Sequence, residues 1–311
     1  MANLRIPLLV GVAAAVAVGE VTVAFERDTD AAWSRLDSLD RKVVTTSFGA
    51  VDYAETGAGD PVLVSHGIFH GCDGGLLSVR DVLPRRRVIA PSRFGYLGSA
   101  LPAGATPDDQ ADAFAELLDH LDVGAVDVVG ISAGATAALA FALRHPGRTR
   151  HLVVLSGNLP GGPTAVAAPP WVRLIYAELP MWAMKRAARA QLAHLMGVPA
   201  GFPKTPEQAK QVDEMVESIF PVGPRAAGAL LDAFSSNAAV NDLPIDQIAV
   251  PTIIIHAKDD PLCAFASAED AARRIPGCTL VTQESGGHLG LGQSEQTRVT
   301  LDAFLTAPVA A

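Results

Sequence analysis

The sequence predicts an α/β fold, in which helices cover both faces of a mostly parallel central sheet and a helical cap is inserted. Short β-branched runs alternate with longer helical patterns through residues 61–155, and this alternation is typical of a parallel sheet buried on both sides. Between residues 158 and 241 helical patterns continue without a strand pattern, and the alternation resumes at residue 250. We therefore expect a core of residues 42–157 and 242–308, with a helical cap of residues 158–241.

Each element of the core has its own local signal. Two short runs around Phe48-Gly49 are typical of a hairpin-like start, and the later runs are compact and apolar, as buried strands are. The predicted strands are Lys42–Ser47, Ala50–Ala54, Pro61–Ser65, Val88–Ala90, Val126–Val129, Leu152–Leu155, Val250–His256 and Thr279–Val281. The predicted helices are a short connecting helix within residues 28–40, then Thr106–Leu121, Ala133–Arg144, Ala264–Ile275 and a closing helix that contains Val299, Leu301, Phe304 and Leu305.

The composition excludes several classes of function. With 49% hydrophobic and 18% charged residues among 311, the chain has enough apolar material for a large core. The formal net charge is −9, and no basic run with interleaved aromatic residues occurs, so we expect no nucleic-acid partner. Cys72, Cys263 and Cys278 lack metal-ligand spacing, and no metal is expected. They are interpreted as free thiols, although a Cys263–Cys278 bridge stays open for an exported protein.

The first 25 residues form a hydrophobic segment for which three interpretations stay open. Residues 6–19 carry no charge, and Glu20 interrupts the run. If the run ends there, it is shorter than the about 20 residues that cross a bilayer and suits a signal peptide with Ala15-Val16-Ala17 as its cleavage site. If Glu20 is tolerated, residues 6–25 become a membrane anchor. The third interpretation is a helix packed on the fold. Export or anchoring is favoured slightly over a cytoplasmic location, and the oligomeric state is not indicated.

The clearest chemical signal is a serine between two glycines. Val126 to Val129 predicts a strand, Gly130-Ile131-Ser132-Ala133-Gly134 follows, and an alanine-rich helical pattern comes next. A strand, a sharp turn and a helix are the context that a nucleophile elbow requires. The turn raises the serine hydroxyl above the sheet, and the helix N-terminus faces the place where negative charge develops. Ser132 is therefore the candidate nucleophile.

A serine at neutral pH needs a base and a group that orients the base. The strand that ends at His256 runs into Asp259 and Asp260, which places two carboxylates at the carboxyl end of a strand. Ser285-Gly286-Gly287-His288 places a histidine on a glycine loop after the last strand. The chain order serine, acid, histidine, with each residue following a strand, predicts a catalytic triad.

An acyl-transfer site also needs backbone donors for the oxyanion. One candidate is the amide of Ala133, directly after the nucleophile, and the other is the amide of Ile68, in the loop that follows the strand 61–65. Two further histidines lie in that loop. His66 is expected to brace the loop, and His70 is expected either to brace it or to line the pocket.

From about Val43 to Leu305 the chain resembles the α/β-hydrolase superfamily. The matching features are the His66-Gly67 loop, Arg93-Phe94-Gly95-Tyr96 with Ser99, the Gly130–Gly134 elbow, His145-Pro146, Val250-Pro251, Asp260 and Gly287-His288. In that family the acid lies three residues after a usual glycine, so the resemblance implies Asp260 rather than Asp259. Here Ala257 stands in place of the glycine, Ser92 in place of a frequent aspartate and Leu97 in place of a glycine.

The resemblance implies a serine hydrolase without a cofactor and with a helical cap. Large apolar residues of the cap and His70 are the expected pocket lining, namely His70, Trp171, Tyr176, Met181, Trp182 and Met184. The alternative for the cap residues is that they form the core of the cap itself. The expected reaction is cleavage of a small or medium apolar carboxylic ester, a small-molecule partner, through an acyl-enzyme. An amidase or peptidase, a C–C bond hydrolase and an acyltransferase would use the same triad. From another class, a non-catalytic ligand receptor could keep the fold.

Overall fold

The central feature of the fold is one sheet of eight strands. The computed structural model describes residues 5–162 and 164–307, with side chains from Gly19 onward. The strands are β1 (Arg41–Thr46), β2 (Gly49–Thr56), β3 (Pro61–Ser65), β4 (Arg87–Pro91), β5 (Val126–Ile131), β6 (Thr149–Leu155), β7 (Thr252–Ala257) and β8 (Thr279–Gln283). They are ordered β1-β2-β4-β3-β5-β6-β7-β8. Only the pairs β1–β2 and β2–β4 are antiparallel, so the predicted mostly parallel sheet is confirmed.

Helices cover both faces of the sheet, as predicted. The α-helices of the described residues are α1 (Arg5–Asp37), α2 (Cys72–Val79), α3 (Pro107–His120), α4 (Gly134–Arg144), α5 (Val172–Ile175), α6 (Glu178–Ala187), α7 (Arg189–Leu195), α8 (Pro206–Ser218), α9 (Ala226–Leu231), α10 (Asn237–Ala239), α11 (Phe265–Arg274) and α12 (Ser294–Leu305). The apolar residues of α3, α4 and α11 pack on one face of the sheet. Those of α2 and α12 pack on the other.

The start of α3 shows how sequence sets a helix boundary. The Thr106 hydroxyl accepts a hydrogen bond from the Asp109 amide, the Asp109 carboxylate accepts one from the Thr106 amide, and Pro107 occupies the first turn. This reciprocal cap satisfies amides that would otherwise lack partners. In contrast, α2 was not predicted, because Gly74 and Gly75 lie in its middle and glycine is a poor helix former.

The ends of three neighbouring parallel strands are in register. Ile131 of β5 pairs with Leu155 of β6, and Leu155 pairs with Ile255 of β7. Paired residues of parallel strands point to the same face of a sheet, so these three side chains form one apolar row. Gln283 of β8 lies two positions beyond Val281, the residue that pairs with Ile255.

Between β6 and β7 the chain forms a helical insertion. Its described residues (156–162 and 164–251) contain helices α5 to α10 and no strand. Residues of the insertion, among them Met181, Leu192 and Val216, form an apolar cluster together with Ala32 of α1 and Leu291. The insertion leaves the sheet at the carboxyl end of β6, which places it above the carboxyl ends of the strands.

The N-terminal segment and the predicted short connecting helix form one continuous helix, α1. The prediction of a separate short helix within residues 28–40 was therefore wrong. The carboxyl half of α1 contacts the insertion: Phe25 packs edge-on against the Trp182 ring with centroids 5.3 Å apart, and the Asp28 carboxylate accepts a 3.0 Å hydrogen bond from the Trp182 indole. The side chains of residues 5–18 lie outside the described part. Among the described helices, none combines the length and the apolar character needed to cross a bilayer.

Two ion pairs, each with a buried arginine, connect the insertion to the core. Arg93, which follows β4, donates to both carboxylate oxygens of Asp232 at 2.6 and 2.5 Å, and Asp232 is fully buried. Arg225 of the insertion donates to both oxygens of Asp73 at 2.9 and 2.7 Å. Removing one partner of such a pair leaves a buried charge, at a cost of about 3–5 kcal/mol. The pairs therefore fix the insertion relative to the strand ends.

The three cysteines, Cys72, Cys263 and Cys278, are free thiols. The Cys263–Cys278 bridge that the sequence left open is absent in the described chain.

Candidate active site

Ser132 occupies a strained turn between β5 and α4. Its φ is +52°, a region that a residue with a side chain adopts only when its surroundings enforce it. A β-carbon on Gly134 would overlap the carbonyl oxygens of Ser65 and His66. Only glycine therefore lets the first turn of α4 approach the end of β3 so closely. The predicted strand, turn and helix around Ser132 are all present.

His288 and Asp260 meet at the carboxyl ends of β7 and β8. The His288 Nδ1 lies 2.8 Å from Asp260 Oδ2, and the side chains are 8% and 0% exposed. An imidazole whose Nδ1–H is held by a buried carboxylate presents Nε2 as its basic atom. No hydrogen bond joins Ser132 to His288 in the described chain; such bonds are often long before substrate binds.

Four donors surround the Asp260 carboxylate. The amides of Leu262 and Cys263 donate to Oδ1 at 2.8 and 3.0 Å, and His256 Nε2 lies 3.3 Å from Oδ2, beside His288. Burial raises the pKa of Asp260, but the hydrogen bonds from His256, His288 and the Cys263 amide outweigh burial and hold the pKa well below its usual range. Asp260 is therefore ionised at neutral pH. His256 was not singled out as a site residue, since its contact to Asp260 depends on the turn after β7.

Asp259 has a different neighbourhood from Asp260. Its carboxylate accepts hydrogen bonds from the amides of Gly286 and Gly287, at 3.3 and 2.8 Å. It thus holds the backbone of the glycine loop and makes no hydrogen bond to the His288 ring. Of the two adjacent carboxylates, the structure brings Asp260 to the histidine, in agreement with the position that the family resemblance implies.

The insertion supports the loop that carries His288. The His288 amide donates to the Gly197 carbonyl at 3.0 Å. Gly197 has φ +90°, and a β-carbon there would overlap the β-carbon of His288. A larger residue at position 197 would therefore displace the histidine.

The two predicted oxyanion donors lie at the site with their amides unoccupied. Within the described chain, no hydrogen bond uses the amide of Ile68 or of Ala133. Ile68 directly follows Gly67, and Ala133 directly follows Ser132. Gly67 and Ser132 are in close contact, because a β-carbon on Gly67 would lie 3.3 Å from the Ser132 β-carbon. Unpaired amides next to a nucleophile are the arrangement that stabilises a developing oxyanion.

His66 braces the loop that carries Ile68, as expected. Its Nε2 accepts a 2.9 Å hydrogen bond from the Arg93 amide, so Nδ1 carries the proton and donates to the Gly67 carbonyl at 2.8 Å. The Arg93 guanidinium also donates to the His66 carbonyl at 2.9 Å. Burial, and next the charge of Arg93, hold the pKa of His66 well below its usual value. His66 is therefore a neutral brace.

Ser132 and His288 open onto one large chamber of about 490 Å³. Its floor is the apolar row Ile131, Leu155 and Ile255. The insertion supplies most of its apolar wall, through Ile175, Met181, Met184, Leu192, Leu195, Met196, Met215 and Ile219. Among the described residues that line it, none is Asp, Glu, Lys or Arg. Met181 and Met184 were expected at the pocket, whereas Met196 and Met215 were not singled out; the flexible thioethers of all four suit an adaptable apolar pocket.

The histidine and the aromatic residues predicted for the pocket divide into two pairs. His70 and Tyr176 line the chamber. Trp171 and Trp182 do not line it, which corrects that part of the prediction: the Trp171 side chain is 59% exposed, and Trp182 is 6% exposed against α1. Both tryptophans were chosen for residue type, whereas the direction in which each helix turns its side chains decided the outcome.

The comparisons with known proteins agree with this geometry. The sequence family described as the alpha/beta hydrolase fold matches residues 60–294. The chain belongs to the α/β-hydrolase family. The expectations of this fold and of a hydrolase are confirmed.

Individual relatives of this α/β-hydrolase have different names. It is 32% identical over 222 residues to the 2-hydroxy-6-oxo-2,4-heptadienoate hydrolase of Pseudomonas putida, covering 66% of this chain and 74% of the relative. It is 28% identical over 252 residues to the poly(3-hydroxyalkanoate) depolymerase of Ectopseudomonas oleovorans, covering 79% and 84%. An alpha/beta hydrolase fold protein from Nakamurella multipartita superposes with a TM-score of 0.73 at 27% identity, covering 86% of this chain and 99% of that one.

One group of potential metal ligands overlaps the hydrolase site. The ligand atoms of Asp260, Cys263 and His288 lie within 4.8 Å of one another. The Asp260 and His288 atoms are already joined by a direct hydrogen bond. Burial, and next the charge of Asp260, raise the pKa of the Cys263 thiol to about 12, so it is a protonated, weak ligand. The donor set therefore suits a hydrogen-bonded pair better than a metal.

The buried His70 is expected to lower the stability of the fold in acid. Burial lowers the pKa of His70 to about 4, whereas an unfolded chain takes up that proton near pH 6.5. The unfolded state thus binds more protons between these values, and the free energy of unfolding should fall by up to about 3 kcal/mol as pH drops through this window.

The measurement is urea unfolding of the native hydrolase and of His70→Gln across that pH window. His66 contributes in the same direction in both proteins, so the variant isolates the part due to His70. We expect a shallower decline for His70→Gln. Parallel declines would show that His70 does not titrate in this way.

Proposed function

We propose that this α/β-hydrolase is a serine hydrolase that cleaves an uncharged, small or medium apolar carboxylic ester through an acyl-enzyme. The observation that carries the proposal is the sharing of one apolar chamber by Ser132, at its strained turn, and His288, held by the buried Asp260. In the proposed triad, Ser132 is the nucleophile, His288 the base and Asp260 the orienting acid.

The proposed mechanism has two half-reactions. His288 Nε2 takes the proton of Ser132 as Oγ attacks the ester carbonyl, and the ionised Asp260 stabilises the imidazolium that forms. The amides of Ile68 and Ala133 hold the oxyanion. His288 then gives the proton to the departing alcohol, which leaves the acyl group on Ser132. A water activated by His288 attacks the acyl-enzyme and releases the acid.

We also propose that the helical insertion, within residues 158–241, acts as the cap of this site. Its methionines and leucines form the chamber wall, and Gly197 supports the His288 loop. The Arg93–Asp232 pair joins the insertion to the loop that carries Ile68, through the His66 carbonyl. The same segment thus shapes the pocket and supports the proposed catalytic groups.

The charge of the chamber favours a neutral substrate. A carboxylate inside it would meet no lysine or arginine among the described lining residues, and an uncompensated buried charge is strongly unfavourable. This observation favours ester cleavage over cleavage of an anion such as the heptadienoate in the name of one relative. The name of the depolymerase relative refers to a polyester of hydroxy acids, which carries no charge along its chain.

The test is a series of p-nitrophenyl esters from acetate to palmitate, with a monoester of a dicarboxylic acid as the charged member. We expect kcat/KM to peak at a medium chain length, because the chamber is apolar and of limited volume. The carboxylate-bearing ester should be slower than the uncharged ester of equal length by about 100-fold or more, from the cost of the unpaired charge.

Three results would contradict this proposal. Faster turnover of the charged ester would show that the chamber accommodates an anion and would move the assignment toward acidic substrates, including those of C–C bond hydrolases. Absence of turnover throughout the series, with cleavage of amides instead, would favour an amidase or peptidase. Transfer of the acyl group to an added alcohol in preference to water would indicate an acyltransferase.

A further inference from the structure

The chamber extends well beyond the proposed nucleophile. Its floor crosses the ends of β5, β6 and β7 and reaches Gln283 at the end of β8, the edge strand. Three strand spacings separate β5 from β8, which corresponds to about 14 Å. A substrate bound at Ser132 can therefore place a second group far from its scissile bond.

The wall at that far end is polar, in contrast to the apolar wall under the insertion. Gln283 and Thr297 both line the chamber, and they are 6% and 7% exposed. The Gln283 side-chain amide donates a 3.0 Å hydrogen bond to the Thr297 hydroxyl. Ser294, at the first turn of α12, also lines the chamber.

This polar pair has unused hydrogen-bonding capacity. A glutamine side chain offers two donor hydrogens and an acceptor oxygen, and a threonine hydroxyl both donates and accepts. In the described chain, their mutual bond is the sole side-chain hydrogen bond of either residue. An alkyl chain that ended here would leave the remaining groups unpaired, which is costly in a desolvated pocket. A hydroxyl or carbonyl group of the substrate would pair with them.

The chemistry of the pair also limits the charge of its ligand. No ionisable side chain other than His70, Tyr176 and His288 lies among the described lining residues. The ligand group is therefore an uncharged oxygen function, because an ammonium or carboxylate would be buried without a counter-charge.

We propose that Gln283 and Thr297 form a second substrate subsite, which binds an uncharged hydroxyl or carbonyl oxygen about 14 Å from the scissile ester. The substrate class is then an apolar ester that carries a second oxygen function at its far end. This inference rests on the proposed function, since it takes Ser132 as the reacting end of the chamber.

The test compares p-nitrophenyl esters of linear acids with their terminally hydroxylated counterparts, from hexanoate to dodecanoate. The proteins are the native hydrolase and the double variant Gln283→Met/Thr297→Val, whose near-isosteric side chains lack the polar groups. The matched control is Ser78→Ala, which removes a chamber hydroxyl that already donates to the Gly74 carbonyl at 2.7 Å. Thermal unfolding checks that each variant is folded.

For the native protein, we expect the hydroxylated ester to match or exceed the linear ester in kcat/KM at one chain length. The double variant should lower the ratio of kcat/KM for the hydroxylated ester to kcat/KM for the linear ester by about tenfold or more, through loss of the paired hydrogen bonds. Its kcat/KM for the linear ester should rise. Ser78→Ala should keep the native ratio. If the double variant unfolds, the single variant Thr297→Val gives the same comparison with a smaller change.

The outcomes separate the two proposals. The subsite alone would be overturned if both the native protein and the double variant turn over linear esters and the terminal hydroxyl lowers kcat/KM equally in both proteins at every chain length. A ratio that Ser78→Ala lowers as much as the double variant would overturn it too. Failure to turn over any ester, with no reaction of Ser132 with a fluorophosphonate, would overturn the proposed function and the subsite with it.

Discussion

Ser132→Ala is expected to lower kcat for a medium-chain p-nitrophenyl ester by about 10⁴-fold or more, the range found when a triad serine is removed. The methyl side chain cannot form the acyl-enzyme, while the chamber and the amides of Ile68 and Ala133 stay in place. KM should change little, because the apolar wall that binds the acyl chain is untouched. Steady-state kinetics with a thermal unfolding curve for each protein measure both effects.

Ser156 provides the matched control for that substitution. It also follows a parallel strand, has a positive φ of +44° and lines the same chamber. Ser156→Ala should retain kcat within about tenfold, since Ser156 has no assigned step and single hydrogen bonds contribute about 1 kcal/mol. Equal kcat for Ser132→Ala and the native protein would remove Ser132 from the mechanism.

Asp260→Asn is expected to lower kcat by about 10⁴-fold, as for the acid of other triads. The carboxylate now accepts from His288, His256 and two backbone amides. An amide in its place turns one acceptor oxygen into a donor, so His288 would have to present the wrong tautomer. The stabilisation of the imidazolium would be lost as well. Measurement of kcat against pH, with the same ester, tests this expectation.

Asp259→Asn separates the two adjacent carboxylates. Asp259 contacts the amides of Gly286 and Gly287, so its loss should weaken the support of the glycine loop without altering the partner of His288. We expect a decrease in kcat of about tenfold or less, in line with the loss of one charged hydrogen bond. A larger decrease in kcat for Asp259→Asn than for Asp260→Asn would contradict the assignment of Asp260 as the orienting acid.

Local signals explain why much of the site could be predicted from sequence. The turn at Ser132 needs small neighbours within a few residues, so Gly130 and Gly134 identify it directly. The strands were recognisable because parallel strands that are buried on both faces form continuous apolar runs. The histidine could be found because it follows the last strand on a glycine loop.

Features that depend on tertiary contacts could not be predicted in this way. The choice between Asp259 and Asp260 depends on the direction of two side chains in one turn. The local residue pattern leaves this choice open, and only the family resemblance implied Asp260. Trp182 looked like a pocket residue, yet its ring packs against α1. The sequence separation between residues 25 and 182 gives no local sign of that contact.

The polar end of the chamber had no sequence signal. Gln283 and Thr297 are ordinary surface residue types, and they meet only because α12 packs against the edge strand β8. Similarly, α2 contains two glycines and is stabilised by burial against the sheet rather than by helix propensity. Propensity describes isolated segments, whereas packing decided these two features.

The most direct test of the central claim is reaction of the native hydrolase with a fluorophosphonate, followed by mass spectrometry of the intact protein and its peptides. We expect one adduct per chain, located on Ser132, with no adduct in Ser132→Ala and native labelling in Ser156→Ala. The reagent reports nucleophilicity without requiring the substrate to be known. An adduct on another residue, or none on a folded protein, would contradict the assignment of Ser132 as the nucleophile.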